Sequence, residues 1–217
     1  MDIKNYILLG PPGSGKSTQA DFFKARLQLT HIDVGGELRL IASEDSPLGR
    51  EVSQTIYVKK ELASDEVVKQ ALGRALAKAD PKQGIVLDGA PRRESQISEV
   101  IEILAEYGRT IDWVVFIDLP KDASIDRISR RFSCEQCGEK FVLGIHPEDH
   151  ADPCFKCGGV LTQRKDDTPV GVETRWRIFH EDTEPVIRHF AKEGKLLHVD
   201  GTLPAEDIFQ QIEQGIV

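Results

Sequence analysis

The stretch Gly10-Pro11-Pro12-Gly13-Ser14-Gly15-Lys16-Ser17 constrains this chain more than any other. It satisfies the pattern G-x-x-x-x-G-K-[ST]. It follows an apolar run over residues 3 to 9, ending Tyr6-Ile7-Leu8-Leu9, and it precedes a helical spacing of Ala20, Phe23 and Leu27. Strand, glycine loop, helix is the context in which such a loop wraps phosphate. Glycines let the backbone curl so that its N–H groups and the helix N-terminus face phosphate oxygens. Lys16 adds a point charge and Ser17 a hydroxyl for Mg²⁺. The expected ligand is a nucleoside triphosphate.

Further strand-like runs are His31 to Val34, Ile85-Val86-Leu87, Trp113 to Ile117 and Lys195 to Val199, separated by segments with helical spacing. Alternation of this kind predicts βαβ units, hence an α/β fold with a buried parallel sheet flanked by helices in three layers. The closing segment carries Ala205, Ile208, Ile212 and Ile216 on one helical face after Pro204, which suits a helix's first turn.

The chain has 217 residues, with 28 Lys+Arg against 36 Asp+Glu, a net charge of −8. A sequence pI of about 5.3 argues against broad attachment to nucleic acid or anionic lipid, both of which need a positive surface. No apolar run approaches the ~20 residues of a membrane span, and the start Met1-Asp2-Ile3-Lys4-Asn5 lacks a signal peptide's basic flank and apolar stretch. The expectation is a cytoplasmic protein with no membrane partner.

All four cysteines fall in one segment as Cys134-x2-Cys137-x16-Cys154-x2-Cys157. In a reducing compartment paired Cys-x-x-Cys knuckles favour Zn²⁺ over disulfides, since each aims two thiolates at one tetrahedral centre. Four cysteines close the coordination sphere, so the expected zinc is structural, and His146 and His150 are expected to be loop residues. Between Cys134 and Cys157 lie two basic residues (Lys140, Lys156) and five acidic ones (Glu135, Glu139, Glu148, Asp149, Asp152), a net of 2 − 5 = −3. Such a ribbon repels a phosphate backbone, so no nucleic-acid partner is expected. The zinc segment, 132–163, reads as an insertion that divides the core into 1–131 and 164–217.

Asp88 ends the run Ile85-Val86-Leu87 and precedes Gly89-Ala90-Pro91-Arg92, which puts a carboxylate at the carboxyl edge of a strand, where a Mg²⁺-organising acid belongs. Arg39, Arg92, Arg127, Arg131, Arg164 and Arg175 recur near expected element ends in an otherwise acidic protein. Singly each reads as a solvated charge; as a set they suit phosphoryl transfer, where guanidinium groups bring two anions together and stabilise the transferring oxygens.

In this order the motifs resemble the adenylate kinases, within the nucleoside monophosphate kinases, in their zinc-containing long-lid form. The resemblance rests on Gly10 through Gln19, Val34-Gly35-Gly36-Glu37-Leu38-Arg39, Asp88-Gly89-Ala90-Pro91-Arg92 with Gln96, Asp126-Arg127 with Arg131 on the helix entering the lid, Arg164-Lys165-Asp166-Asp167 with Arg175, and Val199 to Thr202. It implies reversible transfer of the ATP γ-phosphoryl to AMP, giving two ADP, with Mg²⁺ on the donor, in a protein expected to be a monomer. ATP would be held by Gly13, Ser14, Gly15, Lys16, Ser17, Thr18, Arg127, Arg131 and Phe141, with Phe141 near adenine. AMP would be held by Val34, Arg39, Leu62, Ala63, Gly89, Arg92, Gln96, Arg164 and Arg175, on a helical segment over about 33–63 and the strand ends beside it. Lys16, Asp88, Arg92, Arg127, Arg131, Arg164 and Arg175 would carry the chemistry, and the zinc segment would be a lid whose closure excludes water.

Four positions depart from that family's pattern. Val34 stands for Thr and loses a hydroxyl, which weakens AMP binding by up to about tenfold. Gly36 stands for Asp and removes a carboxylate that helps order the hydrated metal. Ala90 stands for Phe and opens space, and Ser17 stands for Gly, a partial compensation for the missing acid. Two other readings stay open at this point: a kinase of UMP or CMP, against which Gln96 argues, and a P-loop ATPase or nucleotide switch with a zinc ribbon.

Overall fold

A computed structural model of the chain describes residues 3–143, 149, 151–163 and 167–216. The five apolar runs are the five strands of one parallel sheet: β1 (Tyr6–Leu9), β2 (Thr30–Asp33), β3 (Ile85–Asp88), β4 (Trp113–Asp118) and β8 (Leu196–Asp200), in the spatial order β2-β3-β1-β4-β8. Burial on both faces explains why the runs are continuous rather than alternating. On one face Tyr6, Leu8, Val86, Val115 and Ile117 pack with Ala20 and Phe23 of α1 (Lys16–Leu27) and with Ile208, Phe209 and Ile212 of α9 (Ala205–Gly215). On the other, Ile7, Leu9, Ile85, Leu87 and Val114 pack with α4 (Asp65–Leu76), α5 (Ser95–Glu106) and α8 (Glu184–Lys192). The result is the three-layer α/β arrangement that the alternation predicts.

Several boundaries shift from the sequence reading, among them two with a local reason. β2 stops at Asp33, one residue early, because the Asp33 carboxylate accepts from the N–H of Gly36 at 2.8 Å and so caps α2 (Val34–Ala42). Pro204 caps α9 from outside rather than sitting in its first turn, and the buried stripe is Ile208, Phe209 and Ile212, with Ile216 just past the end.

After α2 come α3 (Pro47–Ser53) and a π-helical turn (Gln54–Lys59) that ends on Lys60 in the left-handed region. Between α6 (Lys121–Ser129) and α7 (Pro169–Ile178) lies a second, antiparallel sheet of β5 (Arg131–Cys134), β6 (Lys140–Val142) and β7 (Leu161–Thr162), in the order β6-β5-β7. A π-helical stretch, Phe179–Thr183, joins α7 to α8. The amino ends of the large sheet are closed by two buried polar residues. Asn5 Oδ1 accepts from Ile85 N and from Arg109, whose guanidinium also donates to the carbonyls of Gln83 (2.7 Å) and Asp80 (2.8 Å). Among the described residues, the glycine loop and the expected charged groups lie at the opposite, carboxyl ends.

Candidate active site

The loop from Gly10 to Gly15 leaves β1 and enters α1. A Cβ on Gly10 would stand 2.6 Å from the Ile117 carbonyl oxygen and from Ser14 Oγ, so only glycine fits so close to β4. Gly15, just before α1, has φ +94°, a conformation that side-chain-bearing residues avoid. The Lys16 ammonium donates to the carbonyls of Gly10 (2.8 Å) and Pro11 (2.9 Å) and to Ser14 Oγ (3.3 Å), which uses all three of its hydrogens. Burial lowers its pKa to about 8, against the pull of Asp88, and Arg92, Arg131 and Arg175 push it further the same way. Those four groups therefore lie near enough to Lys16 for their charges to act on it. Ser17 and Thr18 lie in the first turn of α1, Ser17 half-buried and Thr18 exposed.

Asp88 is the last residue of β3 and is 7% exposed. Arg92 follows it round the turn, with Nε donating to the Gly89 carbonyl at 3.0 Å. Arg92 keeps an exposed surface, yet the protein crowded around its guanidinium displaces water and lowers its pKa, while Asp88 and Asp33 support its charge. Gln96 is buried on α5; its Oε1 accepts from the Arg92 N–H at 2.8 Å and its Nε2 donates to Asp65 at 2.9 Å. These two bonds use one of the two amide hydrogens and one of the two carbonyl lone pairs of Gln96. Asp65 also accepts from Ser95 Oγ at 2.7 Å, and Arg93 bridges it at 3.8 Å while donating to the Ala63 carbonyl at 3.3 Å. Leu62 is half-buried beside Ala63.

Arg39 lies on α2, paired with Asp33 at 3.2 Å. Val34 is fully buried and shares an apolar cluster with Ala63 and Ala90, so the small side chain of Ala90 is packed over rather than exposed. Asp33 answers one departure from the family pattern. A side chain at Gly36 would meet Asp33 Oδ2 at 2.6 Å, so the carboxylate missing at 36 is matched by one at 33 that fills the same space. Asp33 also stands in register with Asp88 across β2 and β3. Its position before a helix that opens Val34-Gly35-Gly36 is the N-cap signal that points to it in the sequence.

Arg131 is the first residue of β5, not part of the α6 helix as the motif suggested. Its guanidinium grips Asp167 through two bonds, Nε to Oδ2 at 2.9 Å and Nη2 to Oδ1 at 2.6 Å, and Arg175 Nη2 donates to the same Oδ1 at 2.8 Å. The Asp167 side chain is 0% exposed. In the sequence Asp167 is one residue of a motif, yet in the fold its carboxylate holds two expected phosphate-binding arginines side by side. Arg127 sits apart from that group: Nη2 donates to the Thr202 carbonyl at 3.2 Å, and burial, with Arg130 close by, lowers its pKa. Phe141 lies 6% exposed within the small sheet's core with Cys134, Cys154 and Leu161, its ring 5.3 Å from that of Phe155. Arg164, Lys165, Asp166, His146 and His150 fall outside the described residues.

The four cysteine sulfurs lie within 4.8 Å of one another. Cys134–Cys157 is 3.4 Å and Cys137–Cys154 is 3.7 Å, close to the ~3.8 Å edge of a tetrahedron whose metal–sulfur bonds are ~2.3 Å. Each knuckle closes the same way: Gly138 N donates to the Cys134 carbonyl at 3.0 Å and Gly158 N to the Cys154 carbonyl at 2.7 Å. Backbone N–H groups of Cys137 and Gln136 draw the Cys134 thiol down to about 7. The N–H of Gly159 favours the Cys157 thiolate, but the crowding sulfurs of Cys134, Cys137 and Cys154 outweigh it and push that thiol up to about 12. Four sulfurs at this spacing form a donor set that fits a soft tetrahedral metal.

The comparisons with known proteins agree with one another. The family described as adenylate kinase matches residues 8–195. The adenylate kinase of Bacillus pumilus is 37% identical over 209 residues, covering 96% of each chain, and that of Archaeoglobus fulgidus is 37% identical over 210 residues, again 96% of each. The adenylate kinase of Syntrophomonas wolfei is 34% identical over 212 residues and 98% of each chain. With its motifs in order, its sheet complete and similarity along nearly its whole length, this chain belongs to the adenylate kinase family.

Proposed function

We infer that this chain catalyses reversible transfer of the ATP γ-phosphoryl to AMP, yielding two ADP. The observation that carries the reading is the glycine loop between β1 and α1 beside Asp88 at the carboxyl end of the adjacent β3, with the charges of Arg92, Arg131 and Arg175 near enough to act on Lys16. Three guanidinium groups and an ammonium, against the carboxylates of Asp88 and Asp167, form a site for two phosphate-bearing anions rather than one. Lys16 would leave its loop carbonyls for the donor phosphates. Arg39 and Arg92, flanking Asp33, would hold the acceptor phosphate, and Arg131 and Arg175, fixed by Asp167, would face the group in transit. Gln96 would use its remaining hydrogen and lone pair to read adenine. Oxygen donors suited to Mg²⁺ are present in Ser17, Asp88 and Asp33; the ion would neutralise charge on the donor phosphates.

Four thiolates at tetrahedral spacing favour zinc as the metal of the small sheet. That sheet, at 132–163, serves as the lid of a core formed by 1–131 and 164–217, and the helices within about 33–63 form the acceptor arm. No described helix is long and apolar enough to cross a membrane, and the acidic charge balance suits a cytoplasmic monomer that binds neither membrane nor nucleic acid. A coupled assay of ADP formation over AMP, UMP, CMP and GMP tests the reading. AMP is expected to be turned over best, and Gln96→Ala to flatten the preference. Equal or better turnover with UMP or CMP makes the chain a pyrimidine nucleotide kinase, and no turnover despite ATP binding makes it a nucleotide switch.

A further inference from the structure

Two residues outside the expected ligand set hold the phosphate loop from behind. Ser124, on α6, is 0% exposed. Its hydroxyl donates to the carbonyl of Pro12 in the middle of the loop and accepts a 2.7 Å bond from the indole Nε1 of Trp176. An indole nitrogen can only donate and a carbonyl can only accept, so the single hydroxyl hydrogen points to the loop and the chain runs one way, Trp176 to Ser124 to Pro12. α6 also presses on the loop, since a Cβ on Gly13 would stand 3.0 Å from the Ile128 side chain and 3.2 Å from the Ser124 carbonyl oxygen.

The other end of the relay is placed with equal care. Trp176 directly follows Arg175 on α7, and its ring meets Phe179 edge-on at 5.6 Å, which in turn stacks at 6.4 Å on Phe116 of β4. The relay therefore joins the helix carrying Arg175 to the loop carrying Lys16. The neighbouring carbonyls Gly10 and Pro11 are held by Lys16 itself, a bond that arriving phosphate competes for. The Pro12 carbonyl is held by a neutral buried hydroxyl that phosphate does not reach.

We propose that Ser124 and Trp176 are positioning residues of the donor site, which keep the phosphate loop in its open curl and in register with Arg175 when Lys16 lets go. The proposal rests on the reading of the Gly10 to Ser17 loop as the donor site. Each acts through Pro12, so their loss weakens donor binding and spares the acceptor.

The test uses the full chain with Ser124→Ala, Trp176→Phe and the double variant. It measures KM for ATP and AMP, and the Kd of a non-hydrolysable ATP analogue by calorimetry. Each single variant is expected to raise the ATP KM and the analogue Kd ~3–10-fold, the scale of one lost hydrogen bond, with the AMP KM within twofold. The double variant is expected to be no worse than Ser124→Ala, because Trp176 acts only through the hydroxyl. If Ser124→Ala does not fold, Trp176→Phe decides alone, since it keeps an aromatic ring on Phe179 and removes only the upper link. Unchanged donor binding in folded variants, an equal rise in both KM values, or additive effects in the double variant would overturn the relay. Wild-type protein that binds no analogue would overturn the donor-site reading itself, and the relay with it.

Discussion

Lys16 works against its own environment. Burial lowers its pKa to about 8, so the folded protein releases a proton there that the unfolded chain keeps until the ordinary lysine range. Between about 8 and 10.5 the unfolded state binds more protons, and the contribution of this group to stability rises with pH. The charge needed for phosphate is lost over the same interval. Donor kcat/KM is therefore expected to fall as pH rises above about 8, with no loss of thermal stability attributable to Lys16, measured as paired pH profiles. Lys16→Met should lower kcat on the order of 10³-fold, and near-normal turnover by the folded variant would exclude the phosphoryl-transfer role. Asp167→Asn tests a different dependence. Its buried carboxylate separates two guanidinium groups whose side chains are each 24% exposed. Neutralising it is expected to lower stability in chemical denaturation by about 3–5 kcal/mol, and kcat with it. Unchanged stability would mean that the arginines find solvent instead.

At the scale of elements, the small sheet and the large one depend on different forces. Among the described residues, strands of four, three and two residues and the second knuckle bury Cys134, Phe141, Leu161 and Cys154, little apolar surface to hold a sheet by packing. On the zinc reading, thiolate ligation supplies the rest. Metal analysis is expected to find one zinc per chain. Chelation and Cys154→Ser should each accelerate hydrogen exchange in β5, β6 and β7 while the five-stranded sheet keeps its protection. Metal-free protein with Cys134 to Cys157 in disulfides would refute the zinc assignment.

For the whole molecule, the face of the sheet that seats α1 behind the phosphate loop also seats α9. α9 carries none of the expected site residues; its Phe209 is fully buried among Phe22, Phe23 and the sheet. Phe209→Ala is expected to lower unfolding free energy by about 3–5 kcal/mol with both KM values unchanged, read from denaturant curves and initial rates. A shifted ATP KM would show instead that α9 sets the position of α1 and its loop.

The sequence by itself determined the parts whose physics is local. Glycine spacing marked the phosphate loop, apolar runs marked all five strands, and two Cys-x-x-Cys knuckles marked the metal cluster, because φ angles, strand burial and a two-residue knuckle depend on near neighbours. It also indicated which arginines and which strand-end carboxylate to watch. Tertiary structure alone decided the strand order and which of these side chains meet. Asp167 grips Arg131 from 36 residues away, Asp65 orients Gln96 across 31, and Trp176 reaches Ser124 across 52. Such pairings depend on how whole elements pack at the carboxyl ends of the sheet, and a buried carboxylate or hydroxyl shows in the sequence only as one more polar residue on a helix or loop.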